Sequence, residues 1–164
     1  MDNYPRVMEH IRSAPAKWFG LETQDDKDIW CYIIAAAGQF EDWAAYLLWE
    51  HDGRPGQVEQ YRDRATLGAL HTRLEQLALL EPYVLQTLKE VNALRNAVAH
   101  RHGTYGVTEP ETPQGRPMGM YRNTQIFREP HGLQALVEDV LDATSTLIGA
   151  AHRFKMRNDL RANP

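Results

Sequence analysis

Three side chains with complementary chemistry share one short segment, Leu94-Arg95-Asn96-Ala97-Val98-Ala99-His100. On a helix turning about 100° per residue, Asn96 and His100 are four apart and therefore neighbours. Arg95 is long enough to reach the same spot, Ala99 leaves space in the middle, and Asn92 stands one turn earlier on the same stripe. An imidazole, a guanidinium and an amide can then converge on one ligand. That combination suits cleavage of a phosphodiester in RNA. Imidazole titrates near neutral pH and can take the proton from an attacking 2′-hydroxyl or give one to the leaving oxygen, which contributes roughly 10²- to 10⁴-fold. Guanidinium is always charged, and its fork matches two phosphate oxygens of a pentacoordinate transition state. One trio supplies one imidazole, whereas separate acid and base steps use two. A two-fold dimer with this helix at its seam supplies both. A plainer role is open to the same residues, because Arg95, His100, Arg101 and His102 fall where cations complement the negative end of a helix dipole.

The elements that hold this segment follow from periodicity. Its helix starts at Pro82, where a missing N–H does no harm, and ends at Gly103. Val84, Leu88, Val91, Leu94 and Val98 form its core stripe. An earlier helix spans Asp25 to Glu50, with Ile29, Ile33, Ala36, Ala37, Phe40, Ala44, Leu47 and Leu48 recurring at three and four, and His51-Asp52-Gly53 ends it. Between Pro55 and Glu81 lies a second helical region, divided at Thr66-Leu67-Gly68, with Leu67, Leu70, Leu74 and Leu77 as its stripe. Glycines and prolines break the pattern over 103–131, which reads as a long loop where Met120-Tyr121-Arg122 and Gln125-Ile126-Phe127 can pair as a short hairpin around Asn123. From Gly132 to about His152, Leu133, Leu136, Val137, Val140, Leu141, Thr144, Leu147 and Ile148 keep helical period. The expected fold is all-α, a bundle of four to five helices with a long loop before the last helix. The expected organisation is a lead-in with a short helix over 1–24, the helical domain over 25–155 and a basic tail over 156–164.

An Arg followed by a polar residue, with a His four to six residues after the Arg at a helix end, resembles the signature of the HEPN superfamily of all-helical proteins. Thr66-Leu67-Gly68-Ala69-Leu70 resembles the leucine-glycine stretch on the preceding helix of such proteins, and Glu41 stands where the family often has an acid that orients the arginine. The resemblance covers the helical skeleton from about Asp25 to His152. It implies a metal-independent endoribonuclease without cofactor that leaves a 2′,3′-cyclic phosphate and a 5′-hydroxyl, with its site completed across a homodimer. In that picture Arg95 stabilises the phosphate, Asn96 positions it or holds the histidine, and His100 is general base or acid. Many relatives are toxins paired with an antitoxin or abortive-infection effectors against phage, so a cognate antitoxin or defence protein is an expected partner besides RNA. Others have lost catalysis, and a non-catalytic dimer that binds RNA, a nucleotide or a partner protein is the alternative. One departure stands out. In the branch neutralised by a nucleotidyltransferase, a tyrosine stands two residues after the histidine, whereas here that position is His102 and Tyr105 comes three later. His102 is then a candidate second proton-transfer group, Arg101 a further cation, and Tyr105 and Tyr121 loop aromatics able to stack on bases.

Composition narrows the alternatives. The chain has 164 residues with Lys+Arg 18 against Asp+Glu 22, a net charge of -4, which disfavours indiscriminate coating of nucleic acid. The sign is uneven. Residues 1–99 carry 10 basic and 15 acidic groups and 100–164 carry 8 and 7, so a polyanion site belongs toward the second half. No apolar stretch approaches the ~18 residues of a membrane span, and the amino-terminal residues lack a basic start before an apolar run, so a cytoplasmic protein is expected. The single Cys31 sits in an apolar helical run and reads as a buried thiol. His100, His102 and His131 have no cysteine pair beside them, no His follows a Glu at three residues, and no phosphate-binding loop or nucleophile elbow appears. A stripe of Ala37, Gly38, Glu41 and Ala45 permits close helix approach and is the expected dimer contact.

Overall fold

A computed structural model describes Arg6, residues 8–10, 25–63, 65–99, 119–126 and 129–162. Helices hold 81% of these residues, and the only strands among them form one two-stranded hairpin, so the fold is all-α. The elements in chain order are α1 (Asp25–His51), α2 (Glu59–Asp63), α3 (Leu67–Gln76), α4 (Pro82–Ala99), β1 (Met120–Tyr121), β2 (Thr124–Gln125) and α5 (Pro130–Ala162). The contacts gather in two compact units. One holds residues 1–36 and 90–139, the other 37–89 and 140–164.

In the second unit, α1 buries Ala37, Phe40, Ala44, Leu47 and Leu48 on one stripe, as the spacing requires. The helix stops after His51 because Gly53 turns to φ 83, with the Asp52 N–H still donating to the Leu48 carbonyl. Thr66 caps α3, its side chain accepting from the Ala69 N–H at 3.3 Å. Leu67, Leu70 and Leu74 are buried there, but Leu77, expected in the same stripe, is exposed. Ala78 takes φ 49 immediately after it, so the chain leaves the helix before Leu77 can turn inward, and Leu80 is buried instead.

In the first unit, Ile29 and Ile33 of α1 are buried, Cys31 is a buried free thiol, and α4 contributes Val91 and Leu94. Val84 and Leu88 of the same α4 stripe are buried in the second unit, while the Val98 side chain lies outside the described residues. The hairpin pairs Met120 with Gln125 and Tyr121 with Thr124. Its two turn residues, Arg122 and Asn123, have φ 47 and 65, the left-handed pair that matches the right-handed twist of a two-residue hairpin. The hairpin lies around Asn123, where the sequence allows one within the stretch expected as loop.

The last helix differs most from its expected bounds. It begins at Pro130 rather than Gly132 and runs to Ala162 rather than about His152, so the expected tail over 156–164 is helix through Ala162. Proline suits the first turn, where its N–H would be unpaired. The extension has an inward anchor: Asn158 Nδ2 donates to the Glu50 carbonyl at 2.7 Å and to the Glu50 carboxylate at 2.9 Å. Phe154 packs edge-on against His51 at 5.3 Å between ring centroids. Leu141 is exposed, contrary to its place in the expected stripe, because it lies about 140° from the centre of the buried row Leu136, Val140, Ala143, Leu147 and Ala150.

Candidate active site

On α4, one row is apolar: Val84, Leu88, Val91 and Leu94 are buried. The next row is polar, and Arg95 and Asn96 straddle the line that runs through Asn92. Arg95 and Asn92 are half-buried, whereas Asn96 is exposed. The burial of Leu94 orients the pair, since it holds the helix against the core and turns the following two residues to its shoulder. A half-buried Arg95 and an exposed Asn96 therefore sit side by side in the final turns of α4. His100, Arg101, His102 and Tyr105 lie outside the described residues.

Glu41 belongs to α1 in the second unit. There its Oε1 accepts the Leu67 N–H at 3.1 Å, so the carboxylate sits at the positive end of α3 beside the Thr66 cap. Tyr121 is corrected as a base-stacking candidate. It is 1% exposed and its hydroxyl donates to Asp139 Oδ2 at 2.6 Å, while Arg122 pairs with the same carboxylate at 2.9 Å. Its aromatic face has no room for a base. The stripe of Ala37, Gly38, Glu41 and Ala45 is also corrected as a dimer contact. Ala37 and Ala45 are buried inside the single chain, leaving Gly38 and Glu41 half-buried.

A polar constellation that sequence reasoning passed over lies where α1 ends. Glu50 has no exposed surface, yet Arg54 Nε donates to its Oε2 at 2.9 Å and Asn158 donates to the same oxygen. Burial alone would raise the Glu50 carboxyl, but hydrogen bonds from Arg54, Asn158 and Tyr46 outweigh it and hold it below the ordinary carboxylate range. Arg54 also pairs with Asp159 at 2.7 Å, and Asp159 with Lys155 at 2.6 Å. Beside them Asp52 accepts from His51, from Tyr61 at 2.7 Å and from Arg73. Burial again opposes and these donors again win, so Asp52 ionises below its usual range. A signal for Glu50 was present, since it follows Leu47 by three and so falls on the apolar stripe, with Arg54 four residues on. Asn158, 108 residues away, left no such signal.

A groove of 410 Å³ opens beside this network, floored by Leu48, Ala69 and Leu70 and edged by Gln60, Tyr61 and Arg73. The Arg73 head is already engaged by Asp52 and stands 5.8 Å over the Tyr61 ring, so the cation closes the edge of the groove. The network is a fastening between the end of α1 and the last turns of α5 and not a reacting centre: its charges are paired with one another and its acids are held ionised. No family model, no curated protein and no solved structure matches this chain.

Proposed function

We propose that this protein is an endoribonuclease of HEPN type, active as a homodimer, with Arg95, Asn96 and His100 as its catalytic residues and no metal in the reaction. The observation that supports this reading is the pairing of a half-buried Arg95 with an exposed Asn96 in the last turns of α4, one helical turn before His100 in the sequence. The reaction is a transesterification. The 2′-hydroxyl oxygen attacks the adjacent phosphorus as His100 takes its proton, and the bond to the 5′-oxygen breaks as the imidazolium of the second copy protonates it. Arg95 carries the charge that builds on the non-bridging oxygens, and Asn96 holds the phosphate or the imidazole in register. Arg101, His102 and Tyr105 are supporting groups. A chain of this kind acts as the toxin of a toxin–antitoxin pair or as an effector against phage, in the cytoplasm, with an antitoxin or defence protein as partner.

The test uses purified protein and end-labelled RNA in EDTA. Wild type cuts, and Arg95→Ala and His100→Ala each lower the rate by about 10²-fold or more. Unchanged cleavage in both variants would overturn the site. RNA that is bound but left intact by the wild type would instead favour the non-catalytic dimer.

A further inference from the structure

Five large apolar side chains stand exposed among the described residues, and three of them, Leu141 at 47%, Met156 at 66% and Leu160 at 72%, lie on α5. They share one face. At about 100° per residue, Leu141, Ser145, Gly149, His152, Met156 and Leu160 fall within roughly one third of the helix circumference. Ser145 and His152 are exposed and Gly149 is half-buried, so the middle of the face is low and its two ends carry the large groups. A Cβ placed on Gly149 meets only the Arg153 guanidinium, at 3.7 Å, which leaves the backbone open there to close approach.

Charge is ordered along the same face. Asp142 lies at the amino-terminal end, one turn after Glu138, whereas Arg153 and Arg157 lie on the same flank at the carboxy-terminal end and Arg161 follows one turn on. All five are exposed. Asp142 and these three arginines make no ion pair among the described residues, although Asp159 pairs with both Lys155 and Arg54.

We propose that the exposed face of α5 from Leu141 to Met156 binds the same face of a second copy of this chain, antiparallel, with the two helices crossing near Ile148 and Gly149. In that arrangement Leu141 meets Met156 of the second copy and Ser145 meets His152. A two-fold axis keeps each flank on its own side, so Asp142 faces the Arg153 and Arg157 flank twice over. The acidic turn argues against a polyanion or an anionic membrane as occupant, because either would be repelled at one end and leave Leu141 uncovered. The surface involves none of Arg95, Asn96 or His100, so it is a contact between copies distinct from the α4 seam of the ribonuclease reading.

Light scattering on the full chain at tens of micromolar and low salt tests this, together with mild oxidation of cysteine variants. Wild type is a dimer through this face, and larger where the α4 contact of the ribonuclease reading also forms. Asp142→Arg weakens association about tenfold or more, and adding Arg153→Asp and Arg157→Asp restores it. A mixture of Ser145→Cys and His152→Cys chains forms disulfide-linked pairs, while Leu160→Cys alone does not link to itself. Buried Cys31 does not compete. Circular dichroism shows each of these surface variants folded. A monomeric wild type, a dimer indifferent to Asp142→Arg, or self-linking of Leu160→Cys would each overturn the proposal. So would a monomer that binds RNA or anionic vesicles through Arg153 and Arg157.

Discussion

Glu50 shows what a single side chain can decide in this fold. Its carboxylate has no exposed surface, so its charge is tolerable only with Arg54 and Asn158 in place. Arg54→Ala leaves that charge buried with only the Asn158 amide and the Tyr46 hydroxyl beside it and is expected to lower the midpoint of a denaturant titration. The pH dependence has a definite sign. Glu50, Asp52 and Asp159 are all lowered in the folded chain, so their contribution to stability is complete above the ordinary carboxylate range and is lost as pH falls through their lowered folded values. Melting temperature should therefore hold near neutral pH and fall steeply below about pH 4, more shallowly in Glu50→Gln. A melting temperature that rose on acidification would contradict the ionised network. At the candidate site Arg95 is half-buried while Asn96 beside it meets solvent. Both residues were legible from residue type and spacing. Glu50 was legible as an acid on an apolar stripe, but its partner Asn158 was not, since no local period links residues so far apart.

Elements are bounded here by backbone geometry as much as by hydropathy. Periodicity and capping chemistry sufficed for α1 and α3, where the apolar stripe and a Thr cap agree. Thr66→Ala should remove about 1 kcal/mol, read as an earlier chemical-denaturation midpoint. Periodicity misled at Leu77 and Leu141 for different reasons. Leu77 is diverted by the left-handed Ala78, and Leu141 lies about 140° round the helix from the centre of the buried row that includes Ala143 and Ala150. Apolar type alone does not distinguish a buried position from an exposed one. Gly132 illustrates a contact that no sequence pattern announces. A Cβ there would sit 2.5 Å from Thr124 Cγ2, so the residue is small because the hairpin rests on the first turn of α5. Gly132→Ala should lower stability by about 1–3 kcal/mol in spite of alanine's better helix propensity, and Thr124→Ser, which removes that methyl, should return part of it. Equal loss in the single and double variants would contradict the contact.

For the whole molecule the decisive quantities are charge and class. The all-α class follows from the helical periods, and no helix among the described residues is long and apolar enough to cross a membrane. A net charge of -4 limits how an RNA can be held, because few cations are available to displace counterions from phosphates. RNA affinity should therefore fall only weakly with salt, and a steep loss between low and physiological salt would point to a broad basic surface in place of one small site. The central claim is that the 2′-hydroxyl of RNA is the nucleophile and the α4 trio its catalyst. It is tested most directly by offering the purified protein, in EDTA, an RNA and the same strand with every 2′-hydroxyl methylated. The account predicts that only the unmodified strand is cut and that its fragments end in a 2′,3′-cyclic phosphate and a 5′-hydroxyl. Cleavage of both strands, or fragments that begin with a 5′-phosphate, would contradict it.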